Sequence, residues 1–171
     1  MDANLKEKMR KDHSVNLFYD MYTFYDLAYN LRPNEINGFI GRKQLKYIDD
    51  NISQREKNFL SLNESVKDDD QFVEINNKLI TKLSNFAFPL VFKEKKDLSD
   101  TINMFKEAKV EIRPIVAGNI TNQPFYKKYY RNRQIELSSA DHVHAHGFYL
   151  PNHPELDIHE INFLKDLINR V

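Results

Sequence analysis

One long apolar stripe constrains the fold of this chain more than any other feature of its sequence. Asn34 is a plausible N-cap in front of it. The apolar residues beyond that cap keep the three- and four-residue spacing of one helix face: Ile36, Phe39, Ile40, Tyr47, Ile48, Ile52, Phe59 and Leu62. A helix from Glu35 to about Leu62 would be roughly 40 Å long at 1.5 Å per residue. Because that length exceeds the span of a small domain, we expect the helix to bridge two structural units.

Two of the four glycines of the chain, Gly38 and Gly41, fall within this helical stretch. Each glycine costs a helix on the order of 1 kcal/mol relative to alanine. Since the two lie three residues apart, on nearly one face, we expect another backbone to approach the helix there. With so few glycines, neither common glycine-rich phosphate loop can form.

The composition favours a globular protein without a general affinity for nucleic acid or membranes. The chain has 171 residues, and its 25 basic residues balance 25 acidic ones, so no overall field attracts nucleic acid or anionic lipid. The absence of cysteine excludes disulfides and thiolate metal sites. No apolar run is long enough for a membrane span, and the charged N-terminus is unlike a signal peptide. We therefore expect a cytoplasmic protein.

An acidic, polar segment at residues 63–70 (NESVKDDD) is the best linker candidate and divides the chain into residues 1–62 and 63–171. Pro89 favours an edge or irregular position in the first strand beyond it, and Asp157 with Glu160 resembles a capping box. The elements predicted after the linker are strands at 85–92, 110–116 and 148–150, and helices that start at Asp97, Pro124, Ser139 and Asp157. Their sum is an α+β unit with a small sheet covered by helices.

The histidines do not form a convincing metal site. His142, His144 and His146 would line one face of a strand. The segment SSADHVHAHG is typical of a helix, however, in which a two-residue step turns about 200° and separates the rings. We expect them to lie near a helix C-terminus and to interact with its dipole. The basic aromatic stretch at 126–133 is either a solvated helix or a basic surface at a nucleotide-bearing cleft, and no G-x-S-x-G elbow occurs.

Three segments resemble a known family: YTFYDLAYNLRPNEINGFIGRKQLKYID, RPIVAGN, and DHVHAHGFYLPNHPELDIHEINFLKDLI. They resemble the DegT/DnrJ/EryC1/StrS family of pyridoxal-phosphate-dependent nucleotide-sugar aminotransferases and their dehydratase relatives. The resemblance covers nearly the whole chain in order. It implies a fold-type-I enzyme that dimerises, in which this chain supplies the end of the large domain, the bridging helix and the C-terminal small α+β domain with a mainly antiparallel sheet.

The resemblance also implies a reaction and its cofactor. The whole enzyme would use pyridoxal or pyridoxamine phosphate on a 4-keto-6-deoxy sugar nucleotide, on a cytoplasmic route to surface polysaccharide such as lipopolysaccharide. Whether it transfers an amine or removes the 3-hydroxyl depends on whether a lysine or a histidine stands at the cofactor site.

Site roles are implied residue by residue. The asparagine that matches Asn30 reaches the cofactor phosphate of the other subunit, and a neutral amide can donate to phosphate without adding charge. Arg32 either helps to hold phosphate or substrate, or fixes its loop through a salt bridge. Arg113 and Asn119 flank a loop that faces the nucleotide sugar in this family, unless their roles are structural. His153, in a turn between two prolines, either reaches a cleft or is structural.

The catalytic residues of the family correspond to positions before Tyr29, so we expect no catalytic residue in this chain and no covalent hold on the cofactor. Lys6, Lys8 and Lys11 stand in a charged setting unlike the family's lysine motif. We expect a fragment that is inactive alone and needs a homologous or upstream-half subunit. The alternatives are a non-catalytic module that binds a sugar nucleotide or such a subunit, and a gene fragment without a role.

Overall fold

A computed structural model describes residues 3–27, 34–94, 98–130 and 135–171. Its helices are α1 Ala3–Asp12, α2 Glu35–Gln44, α3 Ile48–Asn63, α4 Ser99–Glu107, α5 Pro124–Tyr129, α6 Ser138–His146 and α7 Ile158–Ile168. Its strands are β1 Ala87–Val91, β2 Arg113–Pro114 and β3 Gly147–Pro151. Short 3₁₀ turns occur at Tyr19–Tyr22, Leu45–Tyr47 and Ile120–Asn122. Asp97, the predicted start of the fourth helix, lies outside the described residues.

The three strands form one antiparallel sheet in the order β1-β3-β2. Strand β3 pairs with β1 along its whole length, from Ala87 opposite Pro151 to Val91 opposite Gly147. Pro89 therefore lies in an edge strand, as predicted from its missing amide hydrogen. The mixture of helices with a small antiparallel sheet confirms the α+β prediction.

The second strand is much shorter than the predicted residues 110–116. Only Arg113 and Pro114 pair with β3. The chain then turns sharply through Ala117 and Gly118, both of which have positive φ angles. A left-handed turn so close to the strand ends the ladder.

The core lies between the sheet and the helices that cover it. Fully or nearly fully buried side chains form one cluster: Phe59, Leu62, Val66, Phe72, Phe88, Leu90, Phe92, Leu98, Phe105, Ile112, Phe148, Leu150, Ile161, Leu164, Leu167 and Ile168. The predicted capping box of α7 is confirmed, because the Asp157 carboxylate accepts from the amides of His159 and Glu160 while the Glu160 carboxylate accepts from the Asp157 amide.

The predicted long helix is two helices with a 3₁₀ turn between them. Asn34 is its N-cap, and its side-chain oxygen accepts from the Asn37 amide at 3.0 Å. At the other end Phe59 and Leu62 pack in the core, whereas no residue of α2 is buried. The stripe thus leaves the core at its N-terminal end, as expected of a bridging helix, and the division into residues 1–62 and 63–171 stays a prediction. In the part of the chain that the structure describes, no helix has the length and apolar character needed to cross a membrane.

Candidate functional site

The structure brings Arg113 and His153 to one cleft and leaves Asn119 outside its lining. Arg113 pairs with Tyr149 across the sheet, and His153 follows the same strand β3, which explains their proximity. The cleft has a volume of about 190 Å³, below the roughly 300–1,000 Å³ of typical ligand pockets. It can therefore hold one part of a nucleotide-sized ligand. Its lining residues are Phe86, Glu111, Arg113, Tyr149, Pro151, Asn152 and His153.

The Arg113 guanidinium is held from two sides. Its Nε and Nη2 atoms lie 2.7 and 2.6 Å from Oε1 of Glu111, and its Nη1 donates to the Tyr22 hydroxyl at 3.3 Å. The hydrogen bonds with Tyr22 and then with Glu111 raise the pKa of Arg113 above its already high value. The cleft therefore contains a permanent, oriented cation, and 41% of the Arg113 side chain is exposed.

A pair of tyrosines supports this arginine. The hydroxyls of Tyr22 and Tyr149 lie 2.7 Å apart. The hydrogen bonds with Tyr149 and Arg113 lower the pKa of Tyr22. Burial, followed by the hydrogen bond with Tyr22, raises the pKa of Tyr149 to about 12. Tyr149 is thus a neutral, buried anchor for Tyr22, and Tyr22 in turn holds Nη1 of Arg113. Tyr22 lies in an aromatic run, residues 18–25, and no pattern in that run predicts this role.

His153 lies at the rim of the cleft with an exposed ring. Its Nδ1 accepts from the Glu155 amide at 3.2 Å. Its backbone carbonyl accepts from Nδ2 of Asn58, a buried residue of α3, at 3.1 Å. The backbone at His153 is therefore tied to α3, and the imidazole remains accessible to a ligand.

Asn119 is only 2% exposed. Its Oδ1 accepts from the Thr121 amide at 2.9 Å and from the Thr121 hydroxyl at 2.7 Å, and its Nδ2 donates to Asp141 at 2.8 Å. These bonds cap the 3₁₀ turn and join its loop to α6. The geometry therefore favours the structural alternative for Asn119. Asn30 and Arg32 lie outside the described residues, so their predicted cofactor contacts stay predictions.

The three histidines lie on helix α6, as predicted. Nε2 of His142 lies 2.6 Å from the Phe92 carbonyl oxygen, and the His144 ring lies 4.7 Å from that of Tyr19. Burial lowers the pKa of His144. Among the described residues, no group of three or more histidines, aspartates or glutamates could hold a metal ion. The α6 histidines are structural in these contacts.

A Schiff-base lysine needs an enclosed setting that lowers its pKa. No lysine in the described ranges is buried. Lys6 lies 3.3 Å from Asp20, and Lys11 lies 2.7 Å from Glu7. Both lysines are ion-paired and partly or largely exposed rather than enclosed, so they do not fit a covalent pyridoxal phosphate site.

Comparisons with known proteins agree with this architecture. The sequence profile of the DegT/DnrJ/EryC1/StrS aminotransferase family matches residues 1–167. The GDP-4-keto-6-deoxy-D-mannose 3-dehydratase of Yersinia pseudotuberculosis is 30% identical over 159 residues, a match that covers 91% of this chain and 39% of that protein. The lipopolysaccharide biosynthesis protein RfbH of Salmonella typhimurium is 26% identical over 84% of this chain and 33% of its own length.

Two solved structures share the fold. The E. coli GDP-4-keto-6-deoxy-D-mannose-3-dehydratase with bound hydrated PLP is 24% identical, with a TM-score of 0.63 over 90% of this chain and 40% of its own. PseC of Helicobacter pylori, an aminotransferase involved in the biosynthesis of pseudoaminic acid, has a TM-score of 0.69 and 20% identity, and the match covers 99% of this chain and 46% of PseC. The chain thus spans less than half of each protein that it matches here.

Proposed function

Because the chain belongs to the DegT/DnrJ/EryC1/StrS aminotransferase family, we propose that it is the C-terminal portion of an enzyme dependent on pyridoxal or pyridoxamine phosphate. That enzyme would carry out aminotransfer or 3-dehydration on a 4-keto-6-deoxy sugar nucleotide, in surface polysaccharide synthesis. The observation that carries the proposal is the family match over residues 1–167, with relatives named for that chemistry. The cofactor supplies an electron sink when it is bound. No lysine in the described ranges is buried, and in this proposal the lysine or histidine at the cofactor site belongs to the rest of the enzyme.

The Arg113 cleft is the proposed contact with the nucleotide sugar. An oriented guanidinium suits a diphosphate because its planar fork can form two parallel hydrogen bonds with phosphate oxygens. The cleft volume of 190 Å³ is consistent with holding part of such a ligand. His153, exposed at the rim, can donate to a phosphate or sugar oxygen.

Helix α2 is the proposed contact with the rest of the enzyme. More than half of the surface of each of Ile36, Phe39 and Ile40 is exposed. A Cβ atom added at Gly38 or Gly41 would meet no atom within 4 Å. At 100° per residue, Ile36, Phe39 and Ile40 share one face of α2, and the two glycines lie on the opposite face. The exposed apolar face suits packing against another element. The proposed occupant is the portion that the longer relatives have and this chain lacks, carried either by the same protein or by a second subunit.

Reconstitution tests this proposal. The chain would be mixed with the upstream part of the Yersinia dehydratase and pyridoxal phosphate, and the complex would be separated by size exclusion. We expect an assembly that retains the cofactor's visible absorbance, which the chain alone should not retain. Phe39→Asp should abolish assembly, whereas Phe163→Asp, at an exposed phenylalanine of α7, should not. If neither association nor retained absorbance is seen, the proposal fails.

A second candidate is a non-catalytic module that binds sugar nucleotides. It is favoured by one observation, which is that the Arg113 cleft is built entirely within this chain. Calorimetry with a GDP-sugar separates the two candidates. The binding module requires measurable affinity in the chain alone and no assembly with the upstream part.

A further inference from the structure

Glu111 occupies the edge of Arg113 that an anionic ligand would use. The Nε and Nη2 atoms form one edge of the guanidinium, and both lie within 2.7 Å of the same Glu111 oxygen. Phosphate groups bind arginine in a bidentate manner along such an edge. A diphosphate that reaches Arg113 on this edge must therefore replace the Glu111 carboxylate.

The two sides of Arg113 are unequally held. Glu111 is 66% exposed at its side chain, so its carboxylate can be hydrated when it leaves the arginine. Tyr22, which contacts Nη1, is bonded to the buried Tyr149 of β3. When Glu111 is displaced, the tyrosine pair still fixes the guanidinium, and its Nε edge becomes available without a movement of the strand.

From this asymmetry we propose that Glu111 is a specificity residue of the Arg113 cleft: an internal anion that only a ligand carrying an oxyanion can displace. Neutral sugar hydroxyls cannot compete with a carboxylate for this edge, whereas a diphosphate can. The displaced carboxylate stays in the cleft lining and repels the ligand's remaining charge. Glu111 therefore makes binding selective for anions while it weakens their affinity. This inference rests on the anion-binding role proposed for Arg113.

The test is a titration of the full chain with inorganic pyrophosphate, followed by the NMR signal of the Arg113 Nε–H group. The Arg113→Gln variant lacks this signal and so identifies it in the spectrum. The same variant should no longer bind pyrophosphate when binding is measured by calorimetry. Glu111→Gln keeps the side-chain shape and removes the charge. Because exposed ion pairs have small energies, we expect it to bind pyrophosphate about two- to fivefold more tightly. Glu74→Gln makes the same change in net charge outside the cleft and should not alter affinity.

Each other outcome contradicts the proposal in a distinct way. Equal affinities in the wild type and Glu111→Gln, with binding lost in Arg113→Gln, would refute the role of Glu111 and leave the anion site standing. An equal gain in Glu74→Gln would show a general charge effect. No response in any variant would overturn both Glu111 and the anion site, while the assembly experiment with the upstream part would still decide the family function on its own.

Discussion

Replacement of Asn152 tests how firmly α3 is joined to the sheet. Asn152 has no exposed surface. Its Nδ2 donates to the carbonyls of Arg55 at 3.1 Å and Asn85 at 2.9 Å, while its Oδ1 has no hydrogen-bond partner in the described part of the chain. The Arg55 carbonyl lies inside α3 and keeps its helical hydrogen bond in a variant. The Asn85 carbonyl would lose the hydrogen bond that it accepts from Asn152.

The expected loss follows from these contacts. Truncation of a fully buried asparagine side chain removes its hydrogen bonds and leaves a small cavity, a combined cost of about 1–3 kcal/mol. Removal of the unpartnered Oδ1 offsets a small part of that cost. We expect Asn152→Ala to lower the free energy of unfolding by about 2 kcal/mol, which corresponds to a fall in Tm of roughly 4–8 °C for a chain of this size. Asn152→Asp should be worse at neutral pH, because a carboxylate would face two carbonyls, and should recover as acid restores a donor.

Urea unfolding followed by circular dichroism measures these changes. Asn169→Ala, at an exposed position after α7, is the matched control and should change stability by less than about 0.5 kcal/mol. If Asn152→Ala is no more destabilising than this control, the hydrogen bonds from Asn152 do not hold α3 to the sheet, and the reasoning is refuted.

Two further predictions concern glycine positions and pH. Gly118→Ala should destabilise the chain by more than about 2 kcal/mol, because φ is +51° and the new Cβ would lie 2.0 Å from Nδ1 of His144. Gly41→Ala, with open space around it, should stabilise the free chain by up to about 1 kcal/mol. Urea unfolding measures both variants, and equal changes in stability for Gly118→Ala and Gly41→Ala would refute the packing argument. Burial is the main cause that raises the pKa values of Tyr25 and Tyr149 to about 12. The unfolded chain therefore loses these protons first, and stability should fall as pH rises from about 10 to 12. Urea unfolding at several pH values across that range measures this fall in stability. A free energy of unfolding that does not change with pH would contradict the prediction.

Local sequence signals predicted the parts of the fold that depend on neighbouring residues. The caps at Asn34 and Asp157 need only side chains within three residues of the helix start. The edge position of Pro89 follows from its missing amide hydrogen. The break at Leu45–Tyr47 had no such signal, because neither a proline nor a glycine marks it.

The site depends on distant partners, so less of it could be predicted. Tyr22 meets Arg113 across 91 residues and Tyr149 across 127 residues, and no pattern along the chain joins them. The sequence points to Arg113 and His153 separately, and the sheet register brings them to one cleft. A local signal favours the structural alternative for Asn119, since an asparagine two residues before a threonine is able to cap a turn through its side chain.

The exposure of α2 also affects how this protein can change during evolution. Its apolar residues contribute little to the core that keeps the chain folded. Substitutions at Ile36, Phe39 or Ile40 should therefore have little effect on the stability of the chain. Selection at these positions would act through binding to the surface that covers them. If that surface lies on a second gene product, substitutions in the two sequences should be correlated at these positions. Phe59 and Leu62, on the same stripe, are instead constrained by packing in the chain's own core.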